Sequence, residues 1–445
     1  MRILVVGGGP AGITAASTAR ETDANVEVTV ATEFEDVAYS PCAIPMVLGR
    51  EIPAFDGLIM QTPEHYKKIG IDLRTSKSVE SVSYADKKAV IGGETLAFDR
   101  LVLATGFQYE RPPIPGAELP GVHFVKNLRA AMALDAALDG VKHAVVIKGR
   151  PLGIEMATGL TRRGIDTHIV DDEPWLMAEY SDPDFMARAK ESVEHLGVKV
   201  HLGVQIEAIE AGPSGGAAAV KTSGGRFPAE LVVFATKTHP NTRIAKQIGV
   251  KLGTTGGISV DRHMRTSAAD VFAAGDCTEV PHAIAGIPIR GLTATHAVAM
   301  GRVAGANAAG AERWYEPVYG PWAMVAGEIQ IGGVALTKTL AEALGIPYII
   351  AEAEGFSRAR YFPGMKKIRV RLLADPKTHK LIGCAMVGGE HLKERADFLA
   401  FAMRKGSTLE DIARMENCYS PPIGALNEPM ALAAQAGLKA IGAMW

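Results

Sequence analysis

A glycine-rich loop near the start of the chain constrains the fold more than any other feature. Gly7-Gly-Gly-Pro-Ala-Gly12 joins an apolar run typical of a buried strand to a helical stretch, and a second apolar run follows. In this order the first glycine allows a tight turn, the second lets a pyrophosphate approach the backbone, and the third lets the helix pack on the strand. The predicted cofactor-binding residues of the loop are Gly7, Gly9, Pro10, Ala11 and Gly12.

Two later strand ends carry related signals. Thr105-Gly106 follows a buried run, and Gly275-Asp276 follows another one late in the chain. In flavoproteins with two dinucleotide-binding domains, an acid at this late position contacts the ribityl hydroxyls of the flavin. Because all three signals occur in order, they favour FAD binding over three unrelated turns. In the ungapped register, Thr32 occupies the position at which an acid is expected to bind the adenosine ribose. We predict that Glu33, one place later, takes this role.

A single cysteine follows the first loop. Cys42 lies in Tyr39-Ser-Pro-Cys-Ala-Ile-Pro45, and no second cysteine follows within a few residues. The sequence therefore offers no local dithiol pair. Two interpretations stay open at this point. Cys42, with Pro41 beside it, is either a redox thiol held against a flavin or a buried apolar side chain, as free cysteines often are.

Length, charge and cysteine usage limit the class of protein. At 445 residues the chain is too long for one core, which predicts several domains. A net charge of −2 gives no field that attracts nucleic acid or an anionic membrane. The chain shows no signal-peptide layout and no apolar run long enough to span a bilayer. Its four widely spaced cysteines match neither a disulfide framework nor a zinc site, so we predict a cytoplasmic protein without a metal centre.

The strand–loop–helix–strand pattern recurs from about residue 143, but its loop is degraded. By register it should read Gly-x-Gly-x-x-Gly, yet it reads Lys148-Gly-Arg-Pro-Leu-Gly153, so only the third glycine is in place. In one interpretation this site still binds NAD(H), with Lys148 or Arg150 offering charge to the phosphates and Asp171 meeting the ribose 2′-hydroxyl. In the other, the domain is a relic and electrons reach FAD from a protein or iron–sulfur partner.

From about residue 318 the character of the chain changes. Alternating stretches at 367–373 and 381–387 predict antiparallel strands half exposed to water, and helices are predicted at 392–404 and 408–415. We therefore predict an α/β protein with two doubly wound dinucleotide-binding domains and a C-terminal α+β domain. The predicted boundaries are 1–114 with 241–317 for a discontinuous FAD-binding domain, 115–240 for an NAD(P)-binding-like domain, and 318–445 for the third domain.

These motifs together resemble the pyridine nucleotide–disulfide oxidoreductase superfamily, in particular its single-cysteine branch of coenzyme A disulfide reductases, persulfide reductases, NADH oxidases and NADH peroxidases. The matching positions are Gly7, Gly9 and Gly12, Cys42 with Pro45, Thr105-Gly106, Pro240-Asn241, Gly275-Asp276, Gly301-Arg302 with Asn307, and Tyr419-Ser-Pro-Pro422. The resemblance implies FAD, NAD(P)H and a homodimer in which the third domain completes the partner's active site. It also implies that Gly153, Glu155 and Asp171 lie against the nicotinamide nucleotide, with NADH favoured.

Individual positions discriminate within the branch. The oxidases and peroxidases are similar in carrying a histidine in the first glycine loop, where this chain has Pro10, which cannot transfer a proton. Tyr419 instead resembles the tyrosine of coenzyme A disulfide reductases that reaches the partner's mixed disulfide, and Tyr361 matches a second such tyrosine. A phenol there could protonate a leaving thiolate, or both tyrosines could simply pack an interface. Arg20 matches one ligand of the coenzyme A phosphates, although its neighbours Glu21 and Thr22 are not basic.

The function that the resemblance implies is a FAD-dependent oxidoreductase that passes electrons from NAD(P)H to Cys42 and on to a low-molecular-weight disulfide or persulfide, with coenzyme A among the candidates. One alternative is an electron-transfer subunit that exchanges electrons between an iron–sulfur partner and NAD, with Cys42 vestigial. Another is a redox sensor in which Cys42 switches state. Cys418, next to Tyr419, is either an interface cysteine without a redox role or the second thiol of a transient disulfide with the partner's Cys42.

Overall fold

A five-stranded parallel sheet forms the first layer of the protein, which a computed structural model describes at residues 1–291 and 293–444. Its strands are apolar and buried because helices cover the sheet. Helices Pro10–Thr22 and Ala294–Ala308 pack against each other and against this sheet. In spatial order the strands are Val271–Ala273, Arg100–Leu103, Arg2–Val6, Glu27–Ala31 and Ile71–Arg74. A strand from late in the chain therefore completes a sheet that begins at the first residues.

A second five-stranded parallel sheet repeats this plan. Helix Pro151–Arg162 follows its central strand, as Pro10–Thr22 does in the first sheet, and both helices begin on a proline, which fits the first helical position. In spatial order the strands are Lys199–His201, Asp166–Val170, His143–Ile147, Leu231–Phe234 and Val122–Phe124. The pair Phe107–Tyr109 and Thr238–Pro240 lies where the chain enters and leaves this second unit.

A five-stranded antiparallel sheet forms the C-terminal part. Helices cover one face, and the other face packs on the second unit. In spatial order the strands are Trp322–Ala326, Ile329–Ala335, Leu381–Gly388, Lys367–Ala374 and Ile349–Phe356. The helices of this part are Lys338–Ala343, Leu392–Arg404, Leu409–Ala413 and Pro429–Ala440. The two predicted helices are therefore present, and the last helix docks on the sheet.

The smaller elements connect these layers. Three-stranded sheets are formed by Val79–Ser83, Lys88–Ile91 and Glu94–Ala97, by Ile206–Ala211, Ala217–Thr222 and Gly225–Pro228, and by Ile258–Ser259, Thr278–Pro281 and Pro288–Arg290. The other helices are Ile44–Leu48, Pro63–Lys68, Leu128–Ala136, Pro183–His195 and Arg243–Gln247, with 3₁₀ turns at Pro41–Ala43 and Phe55–Leu58. Within the described residues, each helix is too short or too polar to cross a bilayer.

The prediction that strands 367–373 and 381–387 are half exposed is wrong. Leu381–Gly388 is buried throughout, and Lys367–Ala374 is buried over most of its length. The reason is that helices cover one face of the sheet and the second unit covers the other. Arg371, only 8% exposed, pairs with Asp184 at 2.6 Å across the boundary with the second unit and with Glu352 on the neighbouring strand at 2.7 Å. On this strand Arg371 therefore makes a buried ionic contact, although the alternation of charged and apolar residues predicted a face exposed to solvent.

Candidate active site

One cavity of about 770 Å³ brings most of the predicted site residues together. It lies at the carboxyl ends of the first sheet's strands, where ligands bind in doubly wound folds, and its volume is in the ~300–1,000 Å³ range of cofactor sites. The predicted residues that line it are Gly7, Gly9, Pro10, Ala11, Glu33, Pro41, Cys42, Thr105, Gly106, Glu155, Gly275 and Asp276. The predicted residues outside its wall are Gly12, Gly153, Asp171, Tyr361 and Tyr419.

The first glycine loop places bare backbone at the cavity wall. Gly7 has a φ of +115°, and a Cβ on Gly12 would lie 1.9 Å from the Gly7 carbonyl oxygen, so both positions need glycine. A Cβ on Gly9 would meet nothing within 4 Å, so Gly9 faces open space. Gly9 also begins helix Pro10–Thr22, and none of the described side chains caps that start. The first N–H groups of the helix are therefore available to a phosphate.

Asp276 presents an unsatisfied carboxyl to the same cavity. None of the described side chains donates a hydrogen bond to it, and burial raises its pKa to about 7. A ligand hydroxyl would supply the missing hydrogen bond. At another part of the wall Glu33 is exposed and lies 3.7 Å from the Nζ of Lys126, whereas Thr32 is buried. The residues present therefore fit the phosphate, ribityl and ribose groups of a dinucleotide.

Cys42 opens onto this cavity from two consecutive helical turns. It lies in the 3₁₀ turn Pro41–Ala43, which continues into helix Ile44–Leu48. In the protein alone, burial raises the pKa of the Cys42 thiol, and the carboxylates of Glu155 and Asp276 raise it further. The protein alone therefore disfavours the thiolate form of Cys42.

The segment that carries Cys42 is anchored on the second unit. A Cβ on Gly49 would lie 3.0 Å from the Cα of Gly159 in helix Pro151–Arg162, so the two backbones meet where neither carries a side chain. Arg163 donates a hydrogen bond of 3.2 Å to the carbonyl oxygen of Leu48. The position of the thiol is therefore fixed by contacts with both nucleotide-type units.

Comparison with known proteins decides the family. The model of the pyridine nucleotide-disulphide oxidoreductase family matches residues 1–301, and the model of the family's dimerisation domain matches residues 323–429. The chain belongs to this family. The superfamily and the fold class predicted from sequence are thereby confirmed, as are FAD and NAD(P)H as the cofactors.

Relatives in this family cover almost the whole chain. It is similar to an NADH oxidase of Methanocaldococcus jannaschii, with 37% identity over 99% of both proteins. It is also similar to the NAD(P)H coenzyme A polysulfide/persulfide reductase of Pyrococcus horikoshii, with 32% identity over 98% of both. The structure of the NAD-dependent persulfide reductase from A. fulgidus matches with a TM-score of 0.95 and 27% identity, covering 99% of this chain and 84% of that one. The predicted FAD-dependent NAD(P)H oxidoreductase activity is confirmed at this level.

The second glycine loop of this family member keeps the backbone turn without the glycine. Lys148 has a φ of +82°, and Gly153 packs on the Lys148 carbonyl as Gly12 packs on Gly7. The Lys148 ammonium lies 3.2 Å from Asp171, which is only 2% exposed. The space beside this loop amounts to about 10 Å³. Side chains must therefore move before a dinucleotide enters here.

Glu155 follows the second glycine loop in sequence but lines the same large cavity as the first glycine loop. It projects from helix Pro151–Arg162 into the large cavity, on the same wall as Cys42. Burial raises its pKa to about 7, and the negative charge of Glu51 contributes. Because this value is close to neutrality, the Glu155 carboxyl changes its protonation state near pH 7.

Tyr361 and Tyr419 form a pair on the surface of the dimerisation domain. Their hydroxyls are 2.8 Å apart, and the side chains are 75% and 44% exposed. They do not line the cavity of their own chain. Cys418, beside Tyr419, is exposed as well, whereas Cys277 and Cys384 are buried. The pair is thus placed to meet another molecule.

Several residues of the cavity wall were not among the predicted site residues. Thr293 lies on it and caps helix Ala294–Ala308 by accepting from His296 N–H at 3.2 Å, and a threonine before an apolar helical run is a recognisable cap signal. Asn241, which the family resemblance matched without giving it a site role, also lies on the wall, and its carbonyl accepts a hydrogen bond of 2.5 Å from the Thr105 hydroxyl. Lys126 had no local signal, because its place beside Glu33 depends on the tertiary fold.

Proposed function

We propose that this protein transfers electrons from NAD(P)H through FAD to Cys42, which reduces a low-molecular-weight disulfide or persulfide. The observation that carries the proposal is the position of Cys42 on the wall of the 770 Å³ cavity, which is also lined by a loop suited to a pyrophosphate. Of the described cysteines, Cys42 alone lines this cavity. The relatives named persulfide reductases support the substrate class.

The proposed reaction balances as follows. The Cys42 thiolate attacks one sulfur of the substrate, the substrate's S–S bond breaks, and the leaving thiolate takes a proton. Cys42 is then held in a mixed disulfide. Bound FAD would supply two electrons taken from NAD(P)H. Those two electrons and one proton cleave the mixed disulfide and restore the Cys42 thiolate. The second product released is a thiol when the substrate is a disulfide, and the two products are one thiol and hydrogen sulfide when it is a persulfide.

We assign the FAD contacts to residues of the first unit. The loop residues Gly7, Gly9, Pro10, Ala11 and Gly12 form the pyrophosphate site, in which free backbone N–H groups at the start of the helix would bind the phosphates. Pro10 has no N–H and contributes only to the wall, while Gly7 and Gly12 allow the tight turn and the close packing beneath it. Glu33 binds the adenosine ribose, and Asp276 binds a ribityl hydroxyl. Pro41, Thr105, Gly106 and Gly275 complete the wall around the flavin.

We assign the nicotinamide nucleotide to the second unit, at Gly153, Glu155 and Asp171. The boundaries 1–114 with 241–317, 115–240 and 318–445 and a cytoplasmic location belong to the same proposal. The family model of a dimerisation domain supports a homodimer. In that dimer Tyr361 and Tyr419 would reach the partner's cavity, where a phenol would protonate the leaving thiolate.

Arg20 gives no support for coenzyme A recognition. Its guanidinium donates to the carbonyl oxygens of Ile69 at 3.1 Å, Ala24 at 2.6 Å and Val26 at 2.7 Å. These bonds tie the end of the first helix to the neighbouring loops, and a phosphate would have to break them. We therefore propose a small disulfide or persulfide as the substrate class without assigning a coenzyme A contact to Arg20.

Anaerobic titration of the FAD-loaded protein with NADH and NADPH tests the proposal. We expect the flavin absorbance to bleach and a long-wavelength thiolate–flavin band to appear in the wild type but not in Cys42→Ser. Turnover with small disulfides or persulfides should then depend on Cys42. Failure of both nucleotides to bleach the flavin, with reduction only by an iron–sulfur protein, would instead establish the electron-transfer alternative. Consumption of O₂ at the same rate by Cys42→Ser would point to an oxidase.

A further inference from the structure

A ring of seven charged side chains closes the second glycine loop. This charge ring consists of three cations and four carboxylates in two groups of ion pairs, and all of its members except Asp172 border the 10 Å³ space. Lys148 pairs with Asp171 and Asp172, Arg150 pairs with Glu179, and Lys237 pairs with Glu179 and Glu173. Arg150 also donates a hydrogen bond of 3.2 Å to the Tyr180 hydroxyl.

Two of these cations replace the first two glycines of the loop. Arg150 begins helix Pro151–Arg162, the place where the pyrophosphate lies in dinucleotide-binding folds. Lys148 reaches the end of strand Asp166–Val170, beside the place of the adenosine ribose. Their charges are therefore located where a bound dinucleotide has its phosphates.

Asp171, the residue predicted to read the ribose, is already committed to the loop. Its Oδ2 accepts from the Gly149 N–H at 2.7 Å, and its Oδ1 accepts from the Glu173 N–H at 3.1 Å and from Lys148 at 3.2 Å. With the side chain only 2% exposed, a ribose hydroxyl would reach the remaining lone pair of Asp171 only after the loop side chains move. Asp172, whose side chain is 38% exposed, is the partner that Lys148 could release without losing Asp171.

We propose that Arg150 and Lys148 are the phosphate-recognising residues of the nucleotide site, and that binding is an exchange of ion pairs. The pyrophosphate replaces Glu179 on Arg150, and Lys148 turns from Asp172 towards the ribose 2′ position. A 2′-phosphate would find a cation there, so the site accepts NADPH as well as NADH. The inference rests on the proposed function and names the residues that carry out its first step.

The opposite view is that Arg150 obstructs the site. Both views place Arg150 where the pyrophosphate would lie, but they predict opposite changes in nucleotide affinity when Arg150 is removed. If Arg150 is a ligand, its removal weakens nucleotide binding, and if it is an obstacle, its removal tightens binding. Removing the charge of Glu179 is a second, independent test, because Glu179 competes with the phosphate for Arg150.

Calorimetric titration of the FAD-loaded homodimer with NAD⁺ and NADP⁺ tests the proposal. Arg150→Met should raise the Kd of both nucleotides on the order of tenfold, whereas Glu179→Gln should lower it several-fold. Lys148→Met should raise the Kd of NADP⁺ on the order of tenfold more than that of NAD⁺. Arg226→Met, which removes an exposed arginine paired with Glu210 at 2.7 Å elsewhere in the second unit, is the matched control and should change neither.

The possible failures are distinct. A wild type that binds nucleotide while Arg150→Met binds it equally or more tightly would overturn the ligand role of Arg150. An unchanged ratio of the two Kd values in Lys148→Met would overturn the role at the 2′ position. A wild type that binds neither nucleotide would contradict the proposed function itself. Retained FAD absorbance and an unchanged melting temperature in each variant show that folding is intact.

Discussion

The hydroxyls of Tyr361 and Tyr419 lie 2.8 Å apart although 58 residues separate them in the chain. The hydrogen bond raises the pKa of Tyr419, which keeps its phenol protonated over a wider range of pH. Both rings are exposed on the dimerisation domain. In the homodimer that we propose, this pair reaches the cavity of the partner subunit, whose wall carries the thiol of Cys42, and acts there as a proton donor.

Replacement of Tyr419 by phenylalanine should slow turnover more than it changes KM, because a proton donor acts in the transition state. We expect a loss on the order of 10²-fold in kcat. Tyr361→Phe should cost less and should move the alkaline limb of the pH profile to lower pH, since it removes the bond that raises the pKa of Tyr419. Steady-state rates against pH measure both. Equal, pH-independent losses in the two variants would indicate a role in packing only.

Glu155 should control how readily the Cys42 thiol ionises. Above about pH 7 the Glu155 carboxylate is charged and raises the pKa of Cys42, so Glu155→Gln should lower that pKa. Alkylation of Cys42 by iodoacetamide in FAD-free protein should become several-fold faster above neutral pH and change little below it. The exposed carboxylate Glu210, changed to glutamine, serves as the control. The same alkylation profile in all three proteins would contradict the prediction.

Asp276 should make the FAD-free protein less stable as the pH rises. Its pKa is raised from 3.8 to about 7 in the folded chain, so its contribution is fully present below the lower value and is lost as the pH rises through the upper one. Asp276→Asn should therefore show a shallower fall in melting temperature over this range than the wild type. Thermal unfolding at several pH values measures it. Parallel curves for the two proteins would refute it.

Arg371 should be a main support of the contact between the C-terminal sheet and the second unit. It is 8% exposed, and its removal leaves the buried Asp182 carboxylate without an ion-pair partner. Asp184 and Glu352 lose one of their two arginines and keep Arg369. We expect Arg371→Met to lower the free energy of unfolding by about 3–5 kcal/mol. Arg188→Met breaks a pair that is 39% and 31% exposed, and it should cost about 1 kcal/mol or less. Urea unfolding compares the two, and equal losses would contradict this account.

Local signals in the sequence were sufficient for most of the fold. The apolar runs and glycine turns predicted the two parallel sheets, since a buried strand and a tight turn are encoded by neighbouring residues. The exposure of Lys367–Ala374 was mispredicted because Arg371 pairs with Asp182 and Asp184, which lie 189 and 187 residues away. Pairing over such distances leaves no local pattern to read.

The residues of the site fall into the same two groups, those predictable from local sequence and those that depend on tertiary contacts. Cys42, Gly9 and Asp276 follow strand ends, so parallel strands bring them to one edge and one cavity. The ion pairs around Lys148 and Arg150 did not follow from register alone. The sequence showed that the glycine was missing, but the pairing of Lys148 with Asp172 and of Arg150 with Glu179 required the three-dimensional fold.

The most direct test of the central claim is anaerobic oxidation of NADH coupled to a small disulfide, with thiol release measured alongside. The account predicts that each NADH oxidised yields two thiols in the wild type. It predicts that Cys42→Ser loses this activity by ~100-fold or more, although its flavin is still reduced. The matched control Cys418→Ser, at an exposed cysteine outside the cavity, should retain the activity. Full activity in Cys42→Ser would contradict the account.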